Sequence, residues 1–330
     1  MSGGNVPYHL RQNKAIDRNI FADLLVRLTR YVDLIDYTYI GFGGPFMEDF
    51  KLMHSYVGIK KMISIEENSK VLARQKFNKP LSNIDCELKS SSDFITDYEF
   101  EGGTIIWLDY ASSRQLGSQF DEFHQLLTKL HPLDIVKITL NANANSLGDA
   151  QAATAAGLPL NEVRLNKLKS RIGRHLPSDI AEEQMHGDKY PGVLSQALLL
   201  TADRAMAGKP GYYFQPLASF AYADTHKMLT FTGIILPSGN AEIRSFYKRT
   251  GLRRWSHAIP RDTRPRSIVV PELSIRERLY IDSMLPKKRA KTIHKRLGFL
   301  LGRDETESLN GVEDYVRYYR EYPYFSKILP

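Results

Sequence analysis

Tyr37-Thr-Tyr-Ile-Gly-Phe-Gly-Gly44, followed by Lys61-Met-Ile-Ser-Ile-Glu66, decides how this chain folds. The first run is apolar and β-rich and leaves through a glycine turn. The second is strand-like and ends on a carboxylate. A strand that exits through glycines lets the backbone approach a ligand where side chains would block it. A carboxylate at the tip of the next strand then accepts both hydroxyls of a ribose. Together the two runs read as a site for a nucleotide-type cofactor.

The pattern continues outward in both directions. Upstream, Ile16, Ile20, Phe21, Leu24, Leu25 and Leu28 recur at helical spacing and predict a helix ahead of the first strand. Pro45 suits the first position of a helix after the glycine turn, with Phe46, Phe50, Leu52 and Met53 packing back on the sheet. A helix is expected over residues 69–77, a third strand from Ile84, and a fourth over Thr104-Ile-Ile-Trp-Leu108 ending at Asp109-Tyr110. A helix over 119–130 and a fifth strand, Asp134-Ile-Val-Lys-Ile-Thr-Leu140, complete the alternation. Apolar strands alternating with helices predict a parallel sheet covered on both faces, with functional residues at the carboxyl ends of its strands.

Residues 146–205 read as mostly helical. Residues 212–220 and 228–236 then read as an antiparallel hairpin. A five-strand α/β core closed by a late hairpin is the arrangement of class I S-adenosylmethionine-dependent methyltransferases. A nicotinamide-binding Rossmann domain would continue with parallel strands instead. Beyond Glu272 the pattern turns helical over 273–285, 290–301 and 312–322. The expected organisation is a Rossmann-like domain with its N-terminal helix over 1–240 and a small basic, mainly helical region over 241–330.

Composition narrows the function classes. With 330 residues, 42% of them hydrophobic, the chain can bury a large core. A single cysteine, Cys86, excludes a disulfide framework and a cysteine-rich zinc site, and His175, His186 and His226 share no metal spacing. No signal pattern or membrane-length apolar run is present, so the expected location is cytoplasmic. Residues 241–330 carry 20 Lys/Arg against 11 Asp/Glu, a net of +9, while the first 240 residues carry 25 against 26. That asymmetry is the footprint of a surface for nucleic acid or another polyanion.

The glycine turn itself separates cofactors. A dinucleotide fingerprint begun at Gly41 requires glycine or alanine at position 46, where Phe46 stands, and Gly44-Pro45-Phe46 lacks the lysine of a phosphate-binding loop. A glycine turn without phosphate chemistry suits an adenosine cofactor with no pyrophosphate. Leu10 to Phe21, Tyr39-Ile-Gly-Phe-Gly-Gly-Pro-Phe-Met-Glu-Asp-Phe50, Ser64-Ile-Glu-Glu67 and Arg74-Gln-Lys-Phe-Asn78 resemble a bacterial family labelled "putative O-methyltransferase". The resemblance covers residues 8–145. It implies S-adenosylmethionine as cofactor, with Gly41, Gly43 and Gly44 admitting its methionyl part, Glu66 holding the ribose, Asp93 accepting the adenine amino group and Phe94 flanking the ring. It also implies that Asp109 and Tyr110, closing the fourth strand, face the methyl acceptor as catalytic residues.

Two acceptor chemistries are disfavoured. Cytosine C5 methylation needs a loop thiolate, and Cys86 reads as a strand residue. Amino-directed nucleic-acid methylation favours an acidic or amide residue followed by two prolines and an aromatic, and Asp109-Tyr110-Ala-Ser has no proline. The expected activity is methyl transfer to oxygen or nitrogen of an unidentified acceptor. Two alternatives stand beside it: a nucleic-acid-associated Rossmann-like module without turnover, and a nicotinamide-dependent oxidoreductase. Lys287, Lys288, Arg289, Lys291, Lys295 and Arg296 form the candidate nucleic-acid patch, extended by Arg261, Arg264 and Arg266. Tyr315, Tyr318, Tyr319, Tyr322 and Tyr324 are expected to pack rather than stack on bases.

Overall fold

The computed structural model of the protein describes residues 11–223, 226–259 and 264–323. Among them the chain divides into two compact units. The first comprises residues 22–221, 226–259 and 264–266, and the second residues 11–21, 222–223 and 267–323. Helix α1 (Gln12–Leu28) supplies residues to both.

The first unit is built on β1 (Thr38–Gly41), α2 (Glu48–Val57), β2 (Lys61–Glu66), α3 (Ser69–Asn78), β3 (Ile84–Leu88), α4 (Ser91–Asp97), β4 (Thr104–Asp109), α5 (Leu116–Lys129) and β5 (Ile135–Asn141). Helices α6 (Ala150–Ala156), α7 (Leu160–Ile172) and α8 (Tyr190–Met206) follow, then β6 (Tyr212–Ala223), β7 (Lys227–Pro237) and α9 (Asn240–Thr250). Among the described residues the sheet runs in the order β3-β2-β1-β4-β5-β7-β6; a further three-residue strand, β8 (Arg266–Ile268), was not anticipated by the sequence reading. Strands β3, β2, β1, β4 and β5 are parallel, with Thr38 opposite both Lys61 and Thr104. β7 runs antiparallel to β5, pairing Ile135 with Ile234. The short link from Ala223 to Lys227 leaves no room for the crossover that parallel neighbours need, so β6 and β7 are the expected hairpin.

The central strands are buried on both faces, with Val136, Ile138 and Leu140 on one face of β5 and Lys137 and Thr139 among the buried residues of the other. β5 is buried along its whole length and β4 along all but Asp109. Amphipathic α5 turns Phe120, Phe123, Leu126 and Leu127 onto this sheet, where they join Ile40, Ile106, Leu108, Ile138 and Phe231 in one core. Helix α4 is bound to α5 by polar contacts as well. Lys129 Nζ donates to the carbonyls of Ile95 at 2.9 Å, Thr96 at 2.8 Å and Tyr98 at 3.1 Å, closing the α4 C-terminus with a charge of the favourable sign.

Helix boundaries moved where capping chemistry overrides periodicity. α2 begins at Glu48 rather than Pro45, because Met47 adopts a left-handed conformation (φ 52°) and Met47 N closes a turn on Gly43 O at 3.0 Å. Phe50 and Met53 do pack inward, while Phe46 and Leu52 are half-buried. In the second unit, α10 (Ile275–Asp282) starts from a Ser274/Glu277 capping box, α11 (Ala290–Leu297) stops at left-handed Gly298, and α12 (Glu305–Tyr318) starts seven residues before the expected Val312, from the Asp304 cap. Tyr315 donates to Asp282 at 2.8 Å and Tyr318 to the Ser267 carbonyl at 2.8 Å; both rings are buried within that unit. Tyr324 and Arg261 lie outside the described residues.

Asp134, just before β5, ties that strand to β4. Its carboxyl is fully buried and accepts Thr104 N at 2.6 Å and His131 N at 2.7 Å. Burial outweighs those two donors and raises its pKa to about 7. The folded chain therefore holds a proton here that the unfolded chain, titrating near about 3.9, releases. The contribution of this group to stability is full below about pH 4 and is lost as pH rises to about 7, a change on the order of 4 kcal/mol. Urea unfolding followed by tryptophan fluorescence should show wild-type stability falling between pH 5 and 7. Asp134→Asn, which leaves one backbone donor without an acceptor, should be less stable at pH 5 and flatter across that range.

Candidate functional site

β1 lies between β2 and β4, so the chain reverses its direction of travel across the sheet at this strand. At such a switch point the loops after adjacent strands diverge and leave a crevice. A cleft of about 470 Å³ opens there, within the usual range of about 300–1,000 Å³ for small-molecule sites. Its walls are Phe42 after β1; Ile65, Glu66 and Glu67 at the end of β2; Lys89 and Ser90–Ser92 after β3; Asp109 to Ser112 after β4; and Gln115, Ser118, Gln119 and Glu122 on α5.

Glu66 is 5% exposed. Asn68 N donates to its Oε1 at 2.9 Å, and Gln75 Nε2 approaches Oε2 at 3.5 Å. Burial, opposed by the backbone bond from Asn68, raises its pKa. The two oxygens keep lone pairs for further donors. Behind Glu66, Gln75 Oε1 accepts the Ser64 hydroxyl at 3.0 Å, and Ser64 Oγ accepts Gly43 N at 3.2 Å. Sequence reasoning found Glu66 but not this relay.

The glycines act differently from the expectation. Gly41, Gly43 and Gly44 do not line the cleft, whereas Phe42 between them does. A methyl group on Gly43 would lie 2.6 Å from Ser64 Oγ, 3.2 Å from Phe50 and 3.3 Å from Met47. Close packing of the turn against β2 and α2 therefore demands glycine at 43, and Gly44 sits at φ 52°. Asp93 is exposed in the first turn of α4, taking the Ser90 hydroxyl at 2.7 Å while Ser90 Oγ accepts Asp93 N at 3.0 Å. It serves the helix start and does not line the cleft. Phe94 is fully buried and stacked on Tyr98 at 4.6 Å between centroids, so it flanks no ligand.

Asp109 and Tyr110 both line the cleft. Tyr110 donates its hydroxyl to Glu122 Oε2, which also accepts Ser91 Oγ at 2.6 Å. Burial, then the Glu122 charge, pushes the Tyr110 pKa well up. Tyr110 holds its proton and is a wall and a link, not a base. Its ring meets Phe42 edge-on at 5.5 Å. Four carboxylates, Glu66, Glu67, Asp109 and Glu122, thus face one ammonium, Lys89, which is ion-paired to Asp97 at 3.5 Å. Gln119 completes the wall: Nε2 donates to the Ser112 carbonyl at 2.8 Å, and Oε1 is buried with no donor among the described residues. Among the described residues, no cluster of three or more His, Cys, Asp or Glu could hold a metal, and no helix is long and apolar enough to cross a membrane.

Residues 6–330 match the family described as "Putative O-methyltransferase". The chain belongs to that family. Its description gives the reaction type as methyl transfer, and the nicotinamide-dependent alternative has no counterpart in it. No curated protein sequence matches the chain. Similar solved structures include the N-methyltransferase NodS from Bradyrhizobium japonicum WM9, at 11% identity and TM-score 0.38 over 67% of this chain and 97% of that one. The plantazolicin methyltransferase BamL in complex with S-adenosylhomocysteine and a triazolic desmethyl analogue gives 11% and 0.42 over 69% and 87%. Trm1 from Pyrococcus horikoshii with S-adenosyl-L-methionine gives 10% and 0.38 over 70% and 58%. For this family member the fold assignment rests on its own strand order.

If Gly43 is glycine for packing, Gly43→Ala should lower stability by about 1–3 kcal/mol, the usual cost of forcing an extra group into a packed site. Thermal unfolding checks this. Adding Ser64→Ala, which removes the colliding oxygen, should recover part of the loss; no recovery would assign the effect to another contact.

Proposed function

We propose that the protein transfers a methyl group from S-adenosylmethionine to an oxygen or nitrogen nucleophile, with the cleft at the carboxyl ends of β1, β2 and β4 as its active site. The observation that carries this reading is the charge of the cleft, four carboxylates to one paired lysine. Such a lining repels the pyrophosphate of a dinucleotide and attracts a cofactor bearing a sulfonium and an ammonium. When bound, S-adenosylmethionine supplies an electrophilic methyl group. Glu66, at the tip of β2, accepts the ribose hydroxyls. Phe42 and Tyr110 offer apolar ring surface beside it. Asp109, at the tip of β4, orients the acceptor and takes its proton; the step otherwise depends on in-line placement of the nucleophile.

Calorimetric titration with S-adenosylmethionine, S-adenosylhomocysteine and NAD tests the cofactor, and binding of NAD alone would sink the reading. Glu66→Ala should weaken S-adenosylhomocysteine by about 1.5–3 kcal/mol. Because the carboxylate and not the carboxylic acid accepts both hydroxyls, wild-type affinity should fall on acidification through the raised Glu66 pKa, and the variant should lose that dependence. Asp109→Asn should cut turnover strongly and leave cofactor affinity within a few-fold. Incubation with labelled donor and cellular nucleic-acid, protein and metabolite fractions identifies the acceptor class.

A second reading concerns the second unit. Lys287, Lys288 and Arg289 precede α11, and Lys291, Lys295 and Arg296 lie on it; all six side chains are exposed. This density of positive charge, with no ion pair among the described residues, supports a nucleic-acid-binding surface, either for the acceptor or for a module without turnover. Binding to RNA or DNA should weaken steeply with salt. Changing Lys287, Lys288 and Arg289 together to Ala should flatten the log–log salt slope by roughly two to three. No binding at about 50 mM salt would reject the surface.

A further inference from the structure

We propose that the second unit takes nucleic acid as a single strand, with the exposed rings of Tyr280 and Phe299 stacking on bases while the cations around them meet phosphates. The proposal rests on the nucleic-acid reading of that unit given above and adds which form of the polymer the surface fits.

The tyrosines that the sequence offered for stacking are spent on packing. Tyr315, Tyr318 and Tyr322 are buried, with the Tyr315 and Tyr322 rings 5.3 Å apart. Two other rings of the same unit stand in solvent: Tyr280 on α10 is 46% exposed, and Phe299, one residue past the Gly298 cap of α11, is 49% exposed. A single exposed ring needs no explanation, but these two belong to one place. The Tyr280 hydroxyl lies 3.4 Å from the Arg296 carbonyl in the last turn of α11. Phe299 follows Arg296 by three residues, at most about 10 Å of chain. Leu279 beside Tyr280 and Leu300 beside Phe299 are exposed as well and widen the apolar surface. Arg296, Lys295 and Lys291 are exposed on α11, and Lys287, Lys288 and Arg289 lead into it.

That combination separates the two forms of a nucleic acid. A duplex presents phosphates and keeps its bases stacked inside, so it engages the cations and leaves the rings in water. A single strand presents phosphates and base faces together, and a ring stacks on any base because every base has a π face. Charge alone ranks the two forms the other way, since the denser phosphates of a duplex release more counterions per contact. A preference for the single strand is therefore the signature of the rings.

The test is fluorescence polarisation of the full chain with a labelled mixed-sequence oligonucleotide of about 20 nucleotides, long enough to span a single-strand site, alone and annealed to its complement. Wild type should bind the single strand at least about fivefold more tightly than the duplex. Tyr280→Ala and Phe299→Ala should each weaken single-strand binding at least about fivefold, leave duplex binding within about twofold and keep the salt slope, because neither removes a charge. Tyr280→Phe should retain wild-type affinity, which distinguishes the ring from the hydroxyl. Duplex preference in wild type, or full single-strand affinity in both alanine variants, overturns the stacking role while the charge reading stands. No binding to either form overturns both. Sedimentation with phosphatidylserine vesicles covers the other use of apolar groups beside cations: uptake that the alanine variants abolish, without a single-strand preference, assigns the rings to a lipid surface and overturns the proposal.

Discussion

The hydrogen bond from Gly43 N to Ser64 Oγ is the contact on which the rest of the site depends. It holds the exit of β1 against the middle of β2, and it is possible only because residue 43 has no side chain. Through the same hydroxyl the turn is joined to Gln75 on α3 and from there to Glu66. The backbone turn and the carboxylate at the end of the neighbouring strand are therefore parts of one hydrogen-bonded unit. Displacing the turn would move the carboxylate, so the glycine acts on ligand binding from behind the wall rather than from its surface.

This relay explains how a buried carboxylate is kept ready. A carboxylate with no partners at 5% exposure would be driven toward its protonated form. One backbone donor and one distant amide partly compensate and leave acceptor capacity for a ligand. Glu122 is arranged in the opposite way, with Oε2 committed to two hydroxyl protons and thus to cohesion of the wall. Two carboxylates of one cleft are separated by how much of their hydrogen-bonding capacity the protein itself consumes.

Strands β1, β4 and β5 were legible as β-rich, mostly buried runs between turn signals, whereas β3, Ile-Asp-Cys-Glu-Leu and partly exposed, was marked by its place in the alternation. The positions of Glu66 and Asp109 in the cleft were legible for a related reason, since the end of a buried strand is where a polar residue must emerge. Gly43 was found for the wrong cause: sequence reports that a side chain is forbidden but not whether a ligand or Ser64 forbids it. Asp93 was misread because Ser-x-x-Asp is also a helix start, and the cap is what it serves. Gln119 and Glu122 were missed because a polar stripe on an amphipathic helix looks the same whether it faces solvent or a cleft. The starts of α10 and α12 shifted because a single capping side chain outweighs several residues of weak periodicity.

The three hydrogen bonds from Lys129 to the last carbonyls of α4 have a consequence for how much of the cleft is ordered in advance. Together with the Ser91–Glu122 contact at the other end of the pair and the Gln125–Thr96 contact between them, it rivets α4 and α5 into a single jaw. A jaw pinned at both ends and in the middle has no hinge of its own. The turn after β1 is held as firmly, with Gly43 N on Ser64 Oγ at 3.2 Å, Asn78 Nδ2 on the Pro45 carbonyl at 2.7 Å and Met47 fully buried. Walls tied down in this way are in place before any ligand arrives, so little ordering entropy is left for binding to cost.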